Sequence, residues 1–219
     1  MLLMLCGYRG AGKDFTFELL KKNERLENHW HIYCNRFHLS NDEVVSYFNA
    51  SLPVKRVSFA DSLKDVTCER YGITRKWLEE NKDSPVDTEF KLQHQLPSNI
   101  DSYRHLLCHV GAEGRSRNPD CWTIEAFKRI ENGTLNVITD FRLPSELKYT
   151  KLKGMKVLTA RIIRYENTIP PEDLPLEHEL DDYSTDLIFC DVPLERMWHH
   201  HHKFEWTNTI PHYLKMEGI

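Results

Sequence analysis

Three glycines and a lysine carry the first chemistry in this chain, in the run Gly7-Tyr8-Arg9-Gly10-Ala11-Gly12-Lys13-Asp14. It lies between the apolar stretch Leu2 to Cys6 and the amphipathic segment Phe15 to Leu26, so G-x-x-x-x-G-K falls at a strand-to-helix turn, the context of a phosphate cradle. Glycine permits backbone angles that turn successive N–H groups toward one anion. The helix start adds the positive end of its dipole, and Lys13 adds an ammonium for the β- and γ-phosphates. Gly7, Gly10, Ala11, Gly12, Lys13, Asp14, Phe15 and Thr16 are therefore candidate ATP-binding residues. The Ser or Thr that usually follows the lysine and reaches Mg²⁺ is replaced by Asp14, and the first hydroxyl comes only at Thr16. Asp14 either holds metal-bound water or caps the helix start, where a carboxylate is favoured anyway.

A second constellation follows the apolar run Leu135 to Thr139, which ends in Asp140, Phe141 and Arg142. A carboxylate at the end of a core strand beside a phosphate loop orients hydrated Mg²⁺. Residues two apart in extended chain direct their side chains to one side, so Asp140 and Arg142 read as a metal and phosphate pair; the plainer alternative is a surface ion pair. Arg115 and Arg117 lie in Gly111-Ala112-Glu113-Gly114-Arg115-Ser116-Arg117, read as a glycine-flanked loop that either clamps a phosphate bidentately or is a solvated helix connection. Asp61 follows the strand Val54 to Phe59 and reads as a helix N-cap, alone or with its loop lining an acceptor site, with Lys64 one turn on.

The elements that must position these residues are legible from period and punctuation. Strands are expected at Leu2–Cys6, Val54–Phe59, Leu135–Thr139, Met155–Ile163 and Asp186–Cys190. Residues 28–39 show no clean period and read as irregular. Helices are expected from Ser40, with Glu43 as a capping box, to Phe48; from Asp61 to Tyr71, stopped by Gly72; over Thr74–Lys82; from Ser102 to Gly111; from Asn118-Pro119 to Asn132-Gly133; and from Pro193 onward, with Leu194, Met197 and Trp198. Residues 84–100 read as a mobile surface loop. The run His199 to His202 reads as a solvated helix face, because successive helical residues point about 100° apart and cannot share one ion.

Composition bounds the class. With 219 residues, 40% hydrophobic and 28% charged, the chain fits one α/β domain, 1–219. A net charge of −4 argues against a polymeric nucleic acid or a polybasic membrane contact as partner. No stretch approaches the ~20 apolar residues of a membrane span. The six cysteines form no C-x-x-C pair and read as reduced thiols in a cytoplasmic compartment. Whether the chain forms a homodimer is open.

On these residues the chain resembles the phage and viral deoxynucleoside monophosphate kinases, within the P-loop nucleoside monophosphate kinase superfamily. Gly7 to Asp14 is similar to that family's G-x-x-G-[SA]-G-K-D loop, and Ser58-Phe59-Ala60-Asp61-Ser62-Leu63-Lys64 to its F-A-D-x-L-K block. Arg104-His105-Leu106-Leu107 with Gly111, Glu113, Arg115 and Trp122 looks like R-x-L-L-x-x-x-G-x-E…R…W, and Asn136 to Glu146 like its D-x-R-x-P-x-E strand block. Phe15 replaces the family's Thr, residues 177–181 match H-x-S-E-x-x-L-D only in part, and Asp191 stands where Asn is common. Lys13-Asp14-Phe15, and the spacing from Asp140 to Asp181, also resemble animal-type phosphomevalonate kinase.

The first resemblance implies a three-layer P-loop NTPase fold with a five-stranded parallel sheet, an acceptor-binding helical region at about 61–118 and a lid at about 164–180. It implies ATP and Mg²⁺ as cofactors and a deoxynucleoside monophosphate as acceptor. In it Lys13, Asp140 and Arg142 are catalytic and Asp14 and Asp140 hold the metal. Arg164 joins the ATP site, with Arg161 as an alternative, and Asp61, Lys64, Arg104, Glu113, Arg115, Arg117, Trp122 and Arg142 bind the acceptor. A noncatalytic or regulatory nucleotide-binding module is the reading from another class. A guanine switch is disfavoured because Asn81-Lys82-Asp83-Ser84 puts the aspartate of N-K-x-D one position early.

Overall fold

The computed structural model describes residues 1–34, 48, 52–154, 156–165, 179–180 and 183–193. The expected helices at 40–48 and after Pro193, the His199–His202 run and most of the 164–180 lid lie outside the described residues. The chain divides into two compact units, Met1–Val57 with the chain from Glu131 onward, and Ser58–Ile130.

The first unit is a six-stranded sheet in the order β2-β6-β5-β1-β4-β3, formed by β1 (Leu2–Cys6), β2 (His31–Cys34), β3 (Val54–Val57), β4 (Leu135–Ile138), β5 (Val157–Ile163) and β6 (Leu187–Cys190). Five strands run parallel, while β2 pairs antiparallel with β6 from His31 opposite Cys190 to Cys34 opposite Leu187. The sheet is thus mixed and six-stranded, not five parallel strands, and residues 31–34 are not irregular. An exposed His31 and three half-buried neighbours on an edge give no alternation that a sequence pattern would reveal.

β1 is buried at all five positions and lies between β4 and β5, with Leu2 opposite Asn136 and Val157. An uninterrupted apolar run suits a strand covered on both faces. Leu3 and Leu5 share a core with Leu135, Val137, Leu158, Ala160, Ile162, Leu187 and Phe189, the period-two sets of four strands. Onto that core helix α1 (Lys13–Lys21) packs Phe17, Leu19 and Leu20. It is shorter than the segment read from the sequence; the chain turns at Asn23, with φ 55°, and Leu26–Asn28 is a separate 3₁₀ turn. Asn136, fully buried within β4, is tolerated because its amide donates to the carbonyls of Glu131, Thr134 and Met1 and accepts from the Glu131 N–H. After β4, helix α7 (Pro144–Leu152) begins with proline at its first position.

The second unit is helical: α2 (Phe59–Tyr71), α3 (Arg75–Asn81), α4 (Thr88–Gln93), α5 (Tyr103–Arg117) and α6 (Cys121–Phe127). Four expectations are corrected here. Ser58, not Asp61, is the N-cap residue of α2, and Asp61 sits in its first turn, where the helix dipole favours a carboxylate as it does at the cap. Residues 84–100 contain α4, capped by Asp87 accepting the Phe90 N–H at 2.7 Å, and Phe90 packs on Tyr71 and Tyr103. Helix α6 starts after Asp120 and ends at Phe127, while Asn118 instead accepts the Asp120 N–H in a turn. Helix α5 does not stop at Gly111 but runs on to Arg117, so Arg115 and Arg117 are helical and not in a glycine loop.

Those glycines serve packing. A Cβ at Gly114 would lie 2.9 Å from Trp122 Cε2 and closer still to Cζ2, and the Gly111 carbonyl accepts the Trp122 Nε1–H at 3.1 Å. A Cβ at Gly111 would meet only ordinary contacts, the nearest 3.4 Å away. Glycine in a helix costs about 0.5–1 kcal/mol relative to alanine, so packing decides the sign at each position. We expect Gly111→Ala to be neutral or stabilising and Gly114→Ala to destabilise by about 1–3 kcal/mol in urea unfolding. Equal shifts in the two would refute this account of the helix.

Candidate functional site

In the first unit the chain leaves β1 through Gly7, Gly10 and Gly12, with φ of 138°, 81° and 103°. Gly7 and Gly12 also lack room for a side chain: a Cβ on Gly7 would collide with the carbonyl oxygen of Ile162 in β5, and one on Gly12 would reach Trp30 Cη2 at 3.0 Å and Arg164 Nε at 3.3 Å. Ala11 is buried within the loop, and its N–H closes a turn on the Tyr8 carbonyl at 3.1 Å. Lys13, half-buried at the first position of α1, donates from Nζ to the carbonyls of Gly7 at 2.6 Å and Tyr8 at 2.9 Å. The ammonium thus lies over the loop itself. Backbone with this conformation, a helix N-terminus and an ammonium can together receive a polyphosphate.

The corner where a metal would sit has its own geometry. Asp14 is exposed, and its carboxylate is 3.3 Å from Arg56 Nη2. Arg56, in β3, also donates from Nε to the Thr139 hydroxyl at 3.0 Å. Thr16 does not replace the missing hydroxyl ligand, because it is fully buried and donates to the Gly12 carbonyl at 3.0 Å. Asp140 follows β4, the strand hydrogen-bonded to β1, and is half-buried. Among the described residues no group of three His, Cys, Asp or Glu could enclose an ion. One half-buried carboxylate and one already beside an arginine fit a hydrated Mg²⁺ shared with phosphate oxygens, not a closed cage.

Glu146 holds the segment after Asp140 in shape. Its Oε2 accepts the N–H groups of Arg142 and Leu143, each at 3.0 Å, the backward half of a capping box for α7. Burial pushes its carboxyl up to about 8, helped by the charge of Asp140 and opposed by the two backbone bonds and Arg142. Asp140 therefore has a largely uncharged neighbour at neutral pH. Arg161 is buried in β5 and donates to the carbonyls of Leu180 and Tyr183, a structural tie. Asp191 accepts the Tyr165 N–H at 2.9 Å. Arg164 lies beside the loop, its guanidinium carbon 5.9 Å from the centre of the Phe15 ring and 5.8 Å from that of Trp30.

The remaining candidates belong to the second unit. Asp61 is bound by Arg75, which also meets Asp65 at 2.6 Å and Glu79 at 3.3 Å; Lys64 pairs with Glu79 at 2.6 Å. Arg104 holds Asp83 bidentately at 2.6 and 3.0 Å. Glu113 is shared by Arg70 and Arg117, and Arg70 is the first cause that holds its carboxyl below the usual range. Arg115 is half-buried, with no carboxylate partner among the described residues. Sequence reasoning missed Arg56, Arg75 and Trp30: the first two look like ordinary charged positions, and Trp30 falls in a stretch without a period.

No family model matches the chain, and neither does any curated protein.

Glu146 generates a pH prediction. Its folded value lies above its ordinary one, so its contribution to stability is complete below about 4.5 and is lost as pH rises through about 8. Glu146→Gln keeps an acceptor for both N–H groups without the titration. The urea midpoint of the wild type should therefore fall relative to that of the variant between pH 5 and 8. Parallel pH profiles would remove the assigned burial effect.

Proposed function

We propose that this protein transfers the γ-phosphoryl group of ATP to a deoxynucleoside 5′-monophosphate, giving ADP and the diphosphate. One observation carries the reading: a loop of three left-handed glycines between a buried central strand and a helix, crossed by the Lys13 ammonium, with Asp140 at the end of the neighbouring parallel strand. On this reading the five parallel strands are those of a three-layer P-loop kinase and β2 is an added edge. In it the acceptor-binding region would be about 61–118 and the lid about 164–180.

Lys13 and the loop amides would hold the donor phosphates, the ammonium exchanging its two carbonyl partners for phosphate oxygens. Asp140 would orient the water around Mg²⁺, which when bound neutralises charge on the β- and γ-oxygens. Arg142 would grip the acceptor phosphate. Among the arginines of the second unit, Arg115 suits that task better than Arg104 or Arg117, whose guanidinium groups already hold Asp83 and Glu113. Asp61 and Lys64, tied to Arg75 and Glu79, would shape the acceptor region more than contact its charge. An acceptor phosphate oxygen is already anionic, so no strong base is needed, and the rate comes from positioning and charge neutralisation.

A coupled assay across dTMP, dGMP, dCMP, dAMP, their ribose counterparts and phosphomevalonate tests this. ADP release is expected with at least one deoxynucleotide and none with phosphomevalonate. Lys13→Ala should keep the fold and lose more than about a hundredfold in kcat. Arg142→Ala should raise KM for the acceptor about tenfold or more and leave KM for ATP nearly unchanged. Turnover of phosphomevalonate alone would reassign the acceptor, and ATP binding without transfer to any acceptor would favour a noncatalytic module.

The metal corner yields a further expectation. Because Asp14 lies against Arg56, Asp140→Asn should damage Mg²⁺-dependent turnover more than Asp14→Asn does. Titrating Mg²⁺ against rate checks the order, and the reverse order would move the metal to the loop.

A further inference from the structure

An aromatic corner borders the phosphate loop, and the reaction outlined above makes no use of its deepest member. Trp30 follows the 3₁₀ turn Leu26–Asn28, is 3% exposed, and turns the edge of its six-membered ring to Gly12. Phe15, in the first turn of α1, is 41% exposed and meets Trp30 edge-on, with ring centres 6.1 Å apart. Arg164 completes the group, its guanidinium carbon 5.9 Å from one ring centre and 5.8 Å from the other. The three separations are nearly equal, so both rings lie to one side of the guanidinium, which sits where they meet.

Packing alone does not account for an indole here. Trp30 Nε1 is buried with no acceptor among the described residues, and an unpaired buried donor carries a desolvation cost that a phenyl ring would avoid. What an indole offers beyond area is the best aromatic face for a cation. The guanidinium it carries also stands in an unfavourable place for a positive charge. Arg164 Nε is 3.3 Å from where a Gly12 Cβ would project, at a loop that already has Lys13 and the positive end of α1, and Arg164 has no carboxylate partner among the described residues. A guanidinium held beside an ammonium and a helix N-terminus is suited to receiving an anion.

We propose that Trp30 and Phe15 are positioning residues that hold Arg164 against the phosphate loop as a standing positive charge for the donor phosphates. The inference rests on the reading of that loop as an ATP site. Its physical content is preorganisation: a long side chain free in water gives up rotamer freedom when it meets phosphate, whereas one already stacked in an aromatic corner has less to lose. Phe15, at the place where related loops have a hydroxyl residue, then belongs to the site through Arg164 and not through the metal.

Calorimetric titration of the full chain with ATP, and separately with tripolyphosphate, tests the proposal. Arg164→Met should weaken both ligands about tenfold, and Trp30→Leu and Phe15→Leu should each weaken them by about three- to tenfold. The double variant Trp30→Leu/Arg164→Met should bind no more weakly than Arg164→Met alone, because the rings act through the guanidinium. Trp30→Phe should fall between wild type and Trp30→Leu, because a phenyl ring is a weaker face for a cation than an indole. Phe15 is partly exposed, so its variant is expected to fold even if the core change at Trp30 does not. Losses that multiply in the double variant would overturn the positioning role, as would unchanged tripolyphosphate affinity in Arg164→Met or unchanged affinity in folded Phe15→Leu. A wild-type chain that binds neither ATP nor tripolyphosphate would remove the ATP reading and this inference with it, whereas wild-type binding with multiplied losses removes this inference alone.

Discussion

The Ile162 carbonyl oxygen, in the strand next to β1, occupies the space that a side chain at position 7 would need. Trp30 and Arg164 crowd position 12 less severely, at 3.0 and 3.3 Å, and the positive φ at both glycines confines the backbone between β1 and α1 to a path that favours glycine at each end. That confinement brings the loop close to β5 and sets where α1 begins. Because β1, β4 and β5 are parallel, the residues that follow them leave the sheet at one end, as candidate sites in open α/β sheets do. Asp140, Arg142 and Arg164 are brought to the end of the sheet that bears the loop by strand direction alone.

Charge within the first unit is arranged with few free choices. Arg161 is committed to two backbone carbonyls, and Arg56 links Asp14 to Thr139. Glu146 is buried deeply enough to favour its neutral form while fixing the backbone of Arg142 and Leu143. These three arrangements commit Arg161, Arg56 and Glu146 to holding the fold around the loop. Surface ion pairs such as Lys55 with Glu131 add little by comparison.

The second unit obeys a different constraint. Its core of Tyr71, Leu78, Val86, Ile100, Tyr103, Leu106 and Val110 comes from α2, α3, α5 and the chain on either side of α4, and Arg75 joins Asp61, Asp65 and Glu79 across the α2–α3 corner. Burial raises Asp65 and Glu79 first, yet hydrogen bonds and charge from Arg129, Arg75 and Lys64 outweigh it and leave both carboxyls below their ordinary values. The corner is held by charge as well as by apolar packing. In α5, two glycines that resemble loop punctuation meet Trp122 instead, Gly114 by leaving room for its ring and Gly111 by its carbonyl.

By itself the sequence determined what rests on neighbours in the chain. A short apolar run bounded by turn residues suits a covered strand, so β1 and the ends of β4, β5 and β6 were legible. So were the glycine loop, the Gly72 stop with its left-handed φ of 66°, and the cap at Ser102, because each depends on a few adjacent residues. Tertiary structure decided the rest. That α5 continues through Gly111 to Arg117 accompanies the packing of Trp122 on Gly114 and its bond to the Gly111 carbonyl, and whether residues 31–34 form a strand depends on β6 supplying the other half of the ladder. Thr16 could have been a ligand until its hydroxyl met the Gly12 carbonyl, and Asp14 a free carboxylate until Arg56 arrived from a strand some forty residues on. The difference is physical: turns and caps are satisfied within about one turn of chain, whereas a charge or a buried ring takes its role from whatever the fold sets against it.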